Sequence, residues 1–210
     1  FGGGTPTLLA GEQVAAIMAA IREHFSLEPN AEVTLEANPG TITARSLAAY
    51  RAAGINRLSL GVQSLEDKLL RAIGRVHTRA QALEAITLAR QAGFDNVSVD
   101  MMYGLPGQTT ADYLNTLEQL FLLSPEHISA YSLILEEGTP LARMVARGEV
   151  RLPDPDAVAD MCDAAQPLLA QAGYSRYEIS NYAKPGKECR HNLTYWANGE
   201  YLGLGPAAHS

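Results

Sequence analysis

The chain has 210 residues, enough for one sizeable core, and its 47% hydrophobic and 19% charged content is that of a globular protein. A formal net charge of −7 with no clustered lysine or arginine argues against nucleic acid or an anionic membrane as the main partner. No apolar run reaches the length of a membrane span, no signal peptide is evident, and Cys162 and Cys189 form no C-x-x-C pair, so a reducing cytoplasm is the expected setting.

Phe1-Gly2-Gly3-Gly4-Thr5-Pro6 reads as a strand end that breaks into glycines and meets a helix. Glycines there let backbone approach a ligand, although a plain glycine turn would look the same. Phe1 is not Met and falls at a strand end, so a further segment is expected upstream. Leu8 to Phe25 has helical spacing in Val14, Ile17, Met18, Ile21 and Phe25. Val33 to Ala37 is a strand stopped by Asn38-Pro39-Gly40, and Thr43 to Ala53 is a helix ending at Gly54. Leu58 to Gln63 is the next strand. Ser64 and Asp67 resemble a capping box for a helix through Ile73, and Thr78 with Gln81 opens another to Ala92. Val97 to Met102 is a strand, broken by Gly104-Leu105-Pro106-Gly107. Thr110 is read as the cap of the next helix, and Ile128 to Leu133 as a strand. A loop at Glu136–Pro140, a short helix to Gly148, a helix from Asp154 to Ala172 kinked near Pro167, and a strand at Tyr177–Ser180 follow.

Ala53-Gly54-Ile55, Ala92-Gly93-Phe94 and Ala172-Gly173-Tyr174 repeat one helix-to-strand connection. Strict alternation of helix and strand predicts an α/β fold with a parallel sheet, as a partial barrel or an open doubly wound sheet. No G-x-G-x-x-G opens a helix after a strand, which disfavours a dinucleotide fold. From Asn181 the composition shifts to Tyr, Asn, Gly and Pro. The expected organisation is a barrel portion over 1–182 and the start of a smaller C-terminal region over 183–210.

In a parallel barrel, functional groups gather at the C-terminal ends of strands. Those ends are Gly3-Gly4-Thr5, Glu36, Gln63, Asp100 and Ala130-Tyr131, with Arg75 on the loop Gly74-Arg75-Val76-His77. Two carboxylates, an amide and a guanidinium facing a glycine pocket suit a polar, zwitterionic ligand. An internal ion-pair network among Glu36, Arg75 and Asp100 fits the same residues.

Gly2-Gly3-Gly4-Thr5-Pro6-Thr7, Glu36-Ala37-Asn38-Pro39-Gly40, Gly61-Val62-Gln63-Ser64, Gly74-Arg75-Val76-His77 and Asp100 to Thr109 together resemble one family across essentially the whole chain. It is the radical S-adenosylmethionine family of oxygen-independent coproporphyrinogen III oxidases and related heme chaperones. The resemblance implies a partial (β/α)6 barrel, lacking here its N-terminal strand. It implies contacts from Gly3, Gly4 and Thr5 to the amino-acid part of S-adenosylmethionine, and from Glu36 to that ligand's polar groups. Gln63, Arg75 and Asp100 would line the same cavity, and the Ala130 backbone would pass near the adenine. The family's C-x-x-x-C-x-x-C loop, which holds a [4Fe–4S] cluster, does not occur in this sequence and is expected upstream of residue 1.

Cys189 to Trp196 is the second informative stretch. His191 and Tyr195 are spaced i, i+4 and Trp196 follows; imidazole ligates heme iron and aromatic rings pack on a porphyrin. A histidine bonded inside a docking turn has the same spacing. His-Asn-x-x-Tyr-Trp resembles the signature of the heme chaperone branch, as does the tail Leu202 to Ser210. The resemblance therefore implies heme as ligand and heme-acceptor proteins as partners, including acceptors at the membrane surface. The alternative is an enzyme of porphyrin biosynthesis, an oxidoreductase that decarboxylates coproporphyrinogen III. Whether the chain serves an enzyme is left open between these two.

Overall fold

Local capping chemistry sets most of the element boundaries in the computed structural model, which describes residues 1–205, 208 and 209. A 3-10 turn at Pro6–Leu8 leads into α1 (Gly11–His24), then β1 (Thr34–Ala37), α2 (Ala44–Ala53), β2 (Arg57–Gln63), α3 (Asp67–Ala72), α4 (Arg79–Gln91), β3 (Val97–Tyr103), α5 (Thr110–Phe121) and β4 (His127–Ser132). α6 (Pro140–Ala146), α7 (Pro155–Gln171), β5 (Ser175–Arg176), β6 (Asn181–Ala183) and α8 (Arg190–Trp196) complete the order. Thr43 and Thr78 cap α2 and α4 through capping boxes with Ser46 and Gln81. The expected Ser64 box is absent: the Ser64 hydroxyl accepts from the Glu66 N–H two residues on, in a turn before α3. The cap of α5 is Thr109, one residue before the expected Thr110, because Asp112 closes a capping box on it. Pro167 lies inside the continuous α7.

The repeated helix end is a Schellman motif. At Gly54, Gly93 and Gly173 the backbone turns to φ of 107°, 84° and 86°, and the next residue donates back to Tyr50, Ala89 and Leu169. That next residue, Ile55, Phe94 or Tyr174, is buried and staples the helix to the sheet. α3 ends the same way: Gly74 has φ 72°, and Arg75 donates to the Leu70 carbonyl, so this cap delivers a guanidinium where the others deliver a hydrophobe.

The sheet runs β1-β2-β3-β4-β6-β5. β1 to β4 are parallel, as alternation predicts, while β6 and β5 are antiparallel to their neighbours. The expected strand at Tyr177–Ser180 is instead the bend joining β5 to β6, so this α-to-β connection leads into a hairpin. Phe1 extends the sheet beyond β1: its amino group donates to the Thr34 carbonyl at 2.7 Å and its carbonyl accepts from the Glu36 N–H at 3.0 Å.

The two sheet faces differ. Leu35, Leu58, Leu60, Val97, Val99, Met101 and Ile128 are fully buried in the hydrophobic core with the helices. Their period-2 alternates are Thr34, Glu36, Arg57, Ser59, Ser98, Asp100, His127 and Ser129, a polar face.

Candidate functional site

One cavity of about 1210 Å³ opens over that polar face. β1 lines it with Thr34 and Glu36, β2 with Arg57 and Ser59, β3 with Asp100, and β4 with His127, Ser129 and Tyr131. Gly2 and Gly3 border it, as do the segments from Cys189 to Asn192 and from Tyr201 to Gly205. The expectation that strand ends alone make the site is thereby corrected: polar residues continue down the strands to Arg57 and His127. The signal was present in the sequence, because Leu-Ser-Leu-Gly in β2 and Val-Ser-Val-Asp in β3 alternate with period 2.

At the C-terminal end of the strands the glycine loop meets Glu36. A Cβ on Gly2 would stand 2.8 Å from Glu36 Oε1, so glycine lets this backbone lie against the carboxylate without displacing it. Gly3 and Gly4 take φ of 79° and 100°, turning the chain across the end of β1. Asp100 stands opposite on β3, held by Ser59, whose hydroxyl donates to its Oδ1 at 3.1 Å. Burial raises the Asp100 carboxyl to about 6, against the pull of the Ser129 and Ser59 hydroxyls and the Arg57 charge.

This shift has a testable sign. A carboxyl whose pKa is higher folded than unfolded binds its proton more tightly in the native state, so its contribution is full below about 4 and is lost as pH rises to about 6. The loss is on the order of 3 kcal/mol at full effect. Melting temperature followed from pH 4 to 6 should therefore fall more steeply in the native chain than in Asp100→Asn. Parallel curves would return Asp100 to an ordinary pKa.

Thr5, Gln63 and Arg75 do not line the cavity; they meet beside it around Asn38. Arg75 Nη1 donates to Asn38 Oδ1 at 3.1 Å, and Asn38 Nδ2 donates to Thr5 Oγ1 at 2.9 Å. His77 Nε2–H donates to the Val62 carbonyl at 3.1 Å and pins the Arg75 loop to β2. Gln63 sits at a β-bulge with φ 65°, its amide folded back over Gly61 beside Asn38. Asn38 thus explains the Glu-Ala-Asn-Pro-Gly motif: its amide joins the glycine loop to the Arg75 loop. Among the described residues no ion pair within 4 Å joins Glu36, Arg75 or Asp100, so these groups are not spent on one another. Ala130 is buried on the helix-covered face, and its N–H is committed to the Ser180 carbonyl at 2.7 Å.

The opposite end of the cavity is closed by α8. Tyr177 holds it: the phenol oxygen accepts from Asn192 Nδ2 at 3.1 Å and from the Cys189 N–H at 3.4 Å. Its own proton then goes to His127 Nε2 at 2.7 Å, leaving His127 Nδ1–H to donate to Ser98 at 2.8 Å. Burial and the Arg57 charge drop the His127 pKa to about 3, so this ring is neutral. Glu32 accepts from the Arg190 N–H at 3.2 Å at the start of α8. On the cavity side, His191 and Tyr195 lie edge to face at 4.6 Å, and Tyr195 meets Tyr201 at 4.5 Å. Trp196 is 55% exposed and does not line the cavity. Of the tail motif, residues 202–205, Ala208 and His209 reach the cavity, while Pro206, Ala207 and Ser210 lie outside the described residues. Arg57, His127, Tyr177 and Tyr201 went unnoticed in the sequence, because their partners lie on other strands or many residues away.

The donor set does not suit an iron–sulfur cluster. Among the described residues no three His, Cys, Asp or Glu side chains gather for a metal, and Cys162 and Cys189 are two isolated thiols. No helix among the described residues is long and apolar enough to cross a membrane.

Comparison with known proteins places these observations in a context. Residues 1–120 match the model of the radical SAM superfamily. The chain is similar to a heme chaperone HemW of Mycobacterium tuberculosis, at 44% identity over 99% of the chain and 53% of that protein. It is also similar to the mitochondrial radical S-adenosyl methionine domain-containing protein 1 of Mus musculus, at 45% identity over 100% of the chain and 47% of that protein. Among solved structures, coproporphyrinogen III oxidase (HemN) of Escherichia coli superposes with a TM-score of 0.82, at 28% identity, over 99% of the chain and 50% of that protein. The chain spans about half the length of the curated relatives it matches.

Proposed function

This chain belongs to the radical SAM superfamily, and on that premise we propose that it serves in a heme chaperone, which binds heme and passes it to acceptor proteins. The observation that carries this reading is the aromatic group His191, Tyr195 and Tyr201 facing the same cavity as Glu36 and Asp100. In it, Gly3, Gly4 and Glu36 hold S-adenosylmethionine at the C-terminal strand ends, Asp100 completes that site, and Thr5, Gln63 and Arg75 brace it through Asn38. That ligand brings an ammonium, ribose hydroxyls and a sulfonium, groups that carboxylates recognise. The close fit of Gly2 against Glu36 supports the site, since backbone there can follow a ligand. Ala130 supports it from beneath, through its place in the sheet beside Met101.

His191 is the proposed axial imidazole, Tyr195 its neighbouring ring, and Trp196 an outward aromatic surface for the porphyrin edge or for the acceptor. A [4Fe–4S] cluster belongs to the superfamily's chemistry, but Cys162 and Cys189 alone supply no three-thiolate set for it. Residues 183–210 begin a C-terminal region on this reading, and the working place is the cytoplasm with acceptors that include membrane-surface proteins.

Hemin added to the intact protein should give a stoichiometric Soret band, with no decarboxylation of coproporphyrinogen III. Turnover of coproporphyrinogen III without retained heme would move the assignment to the enzyme.

A further inference from the structure

The deep end of the cavity holds a cation without an ion-pair partner among the described residues. Arg57 is 3% exposed; among the described residues its Nε is buried without a hydrogen-bond partner, and the bond from its Nη1 to Thr34 Oγ1 is stretched to 3.5 Å. Among the described residues, no carboxylate lies within 4 Å of it. A buried charge without a partner is destabilising, and a guanidinium presents a planar fork matched to a carboxylate. Arg57 nonetheless lines a cavity large enough to admit a ligand.

We infer that Arg57 is a specificity-determining residue that takes a carboxylate of the porphyrin, one of its propionates, at the floor of the cavity. This rests on the heme reading above. Two features favour the propionate over the carboxylate of S-adenosylmethionine. Arg57 starts β2, whereas Asp100, bonded to Ser59, and Glu36, in register with Ser59, lie one same-face step toward the C-terminal ends, roughly 7 Å further along. Arg57 also lies by the anchor of α8, its charge acting on Cys189 and Tyr177, so it is on the His191 side of the cavity. A porphyrin ligated by His191 would direct its acidic edge toward that buried guanidinium.

Optical titration of the intact protein with hemin and with hemin dimethyl ester, in which the propionates are masked, tests this. The native protein should prefer hemin by at least about tenfold, or 1.4 kcal/mol. Arg57→Gln should bring the two affinities close together and leave S-adenosylmethionine affinity unchanged. Equal affinities in the native protein, or an undiminished preference in a folded Arg57→Gln protein, would overturn the inference. Loss of S-adenosylmethionine binding instead would reassign the carboxylate to that ligand and overturn it too. If neither porphyrin binds, the heme reading fails, and with it the propionate. The Arg57 Nε–H resonance of the native protein, titrated with glutarate, reports separately whether the guanidinium takes a carboxylate at all, and serves in place of Arg57→Gln if that variant does not fold: no shift would count against the inference.

Discussion

Replacing Gly2 with alanine should weaken S-adenosylmethionine binding to the intact protein by about tenfold to a hundredfold while leaving the fold in place. The added Cβ would lie 2.8 Å from Glu36 Oε1 and 3.0 Å from its Cδ and Oε2, closer than carbon tolerates. The obstacle is the far end of a flexible side chain that is already exposed, so the carboxylate swings away rather than the backbone breaking. Gly2 has no positive φ, so alanine brings no backbone strain. The cost to stability should stay within about 1 kcal/mol, while the site loses a charge-assisted hydrogen bond worth about 1.5–3 kcal/mol. Gly3→Ala makes the useful contrast: it meets open space but a φ of 79°, so it should cost stability without moving Glu36. Calorimetric titration beside a thermal melt separates the two, and undiminished affinity in Gly2→Ala would remove Glu36 from the site.

His191→Ala in the intact protein should shift the Soret band and weaken hemin binding by at least about tenfold, or 1.4 kcal/mol. His191 is exposed on α8, with its ring against Tyr195 at 4.6 Å and, among the described residues, no side-chain hydrogen bond that fixes α8 to the sheet. The anchors of that helix are Asn192 and Cys189 on Tyr177, and Arg190 on Glu32 and the Asn30 carbonyl. Removing the imidazole therefore leaves the helix docked, and a change of spectrum reads ligation rather than unfolding. Binding of S-adenosylmethionine should hold, since Gly2, Glu36 and Asp100 sit at the other end of the strands. An unaltered spectrum in a folded variant would make His191 a partner of Tyr195 and nothing more.

How far the sequence could be read depended on the range of the interaction. Thr43 and Thr78 announced their helices because a capping box spans three residues, and Gly54, Gly93 and Gly173 announced their turns for the same reason. Ser64 misled because serine bonds as readily in a turn two residues long as at a helix N-terminus. Glu36 and Asp100 were legible as polar residues among apolar ones in short strands, and both line the cavity. Thr5, Gln63 and Arg75 were legible as neighbours of that place but not as a group around Asn38, a link between loops 33 and 37 residues apart. The Tyr177 anchor was hidden in the same way, since its bond to His127 spans 50 residues. The reversal of the last two strands was also out of reach, because the Gly173 turn is identical whether a parallel strand or a hairpin follows it.

The contrast between the two faces of the sheet bears on how the protein persists. In an ordinary barrel of this kind of alternation both faces would exclude water, but here Thr34, Arg57, Ser59, Asp100 and His127 face a hollow, and the helix-covered side carries the hydrophobic core. An occupant that binds the folded chain alone acts as a removable half of the interior. By mass action it adds about 2.7 kcal/mol at a hundredfold excess over its dissociation constant. On the proposed heme reading, the lifetime of such a protein is then coupled to the supply of its ligand, so that scarcity of the ligand thins out the protein that holds it.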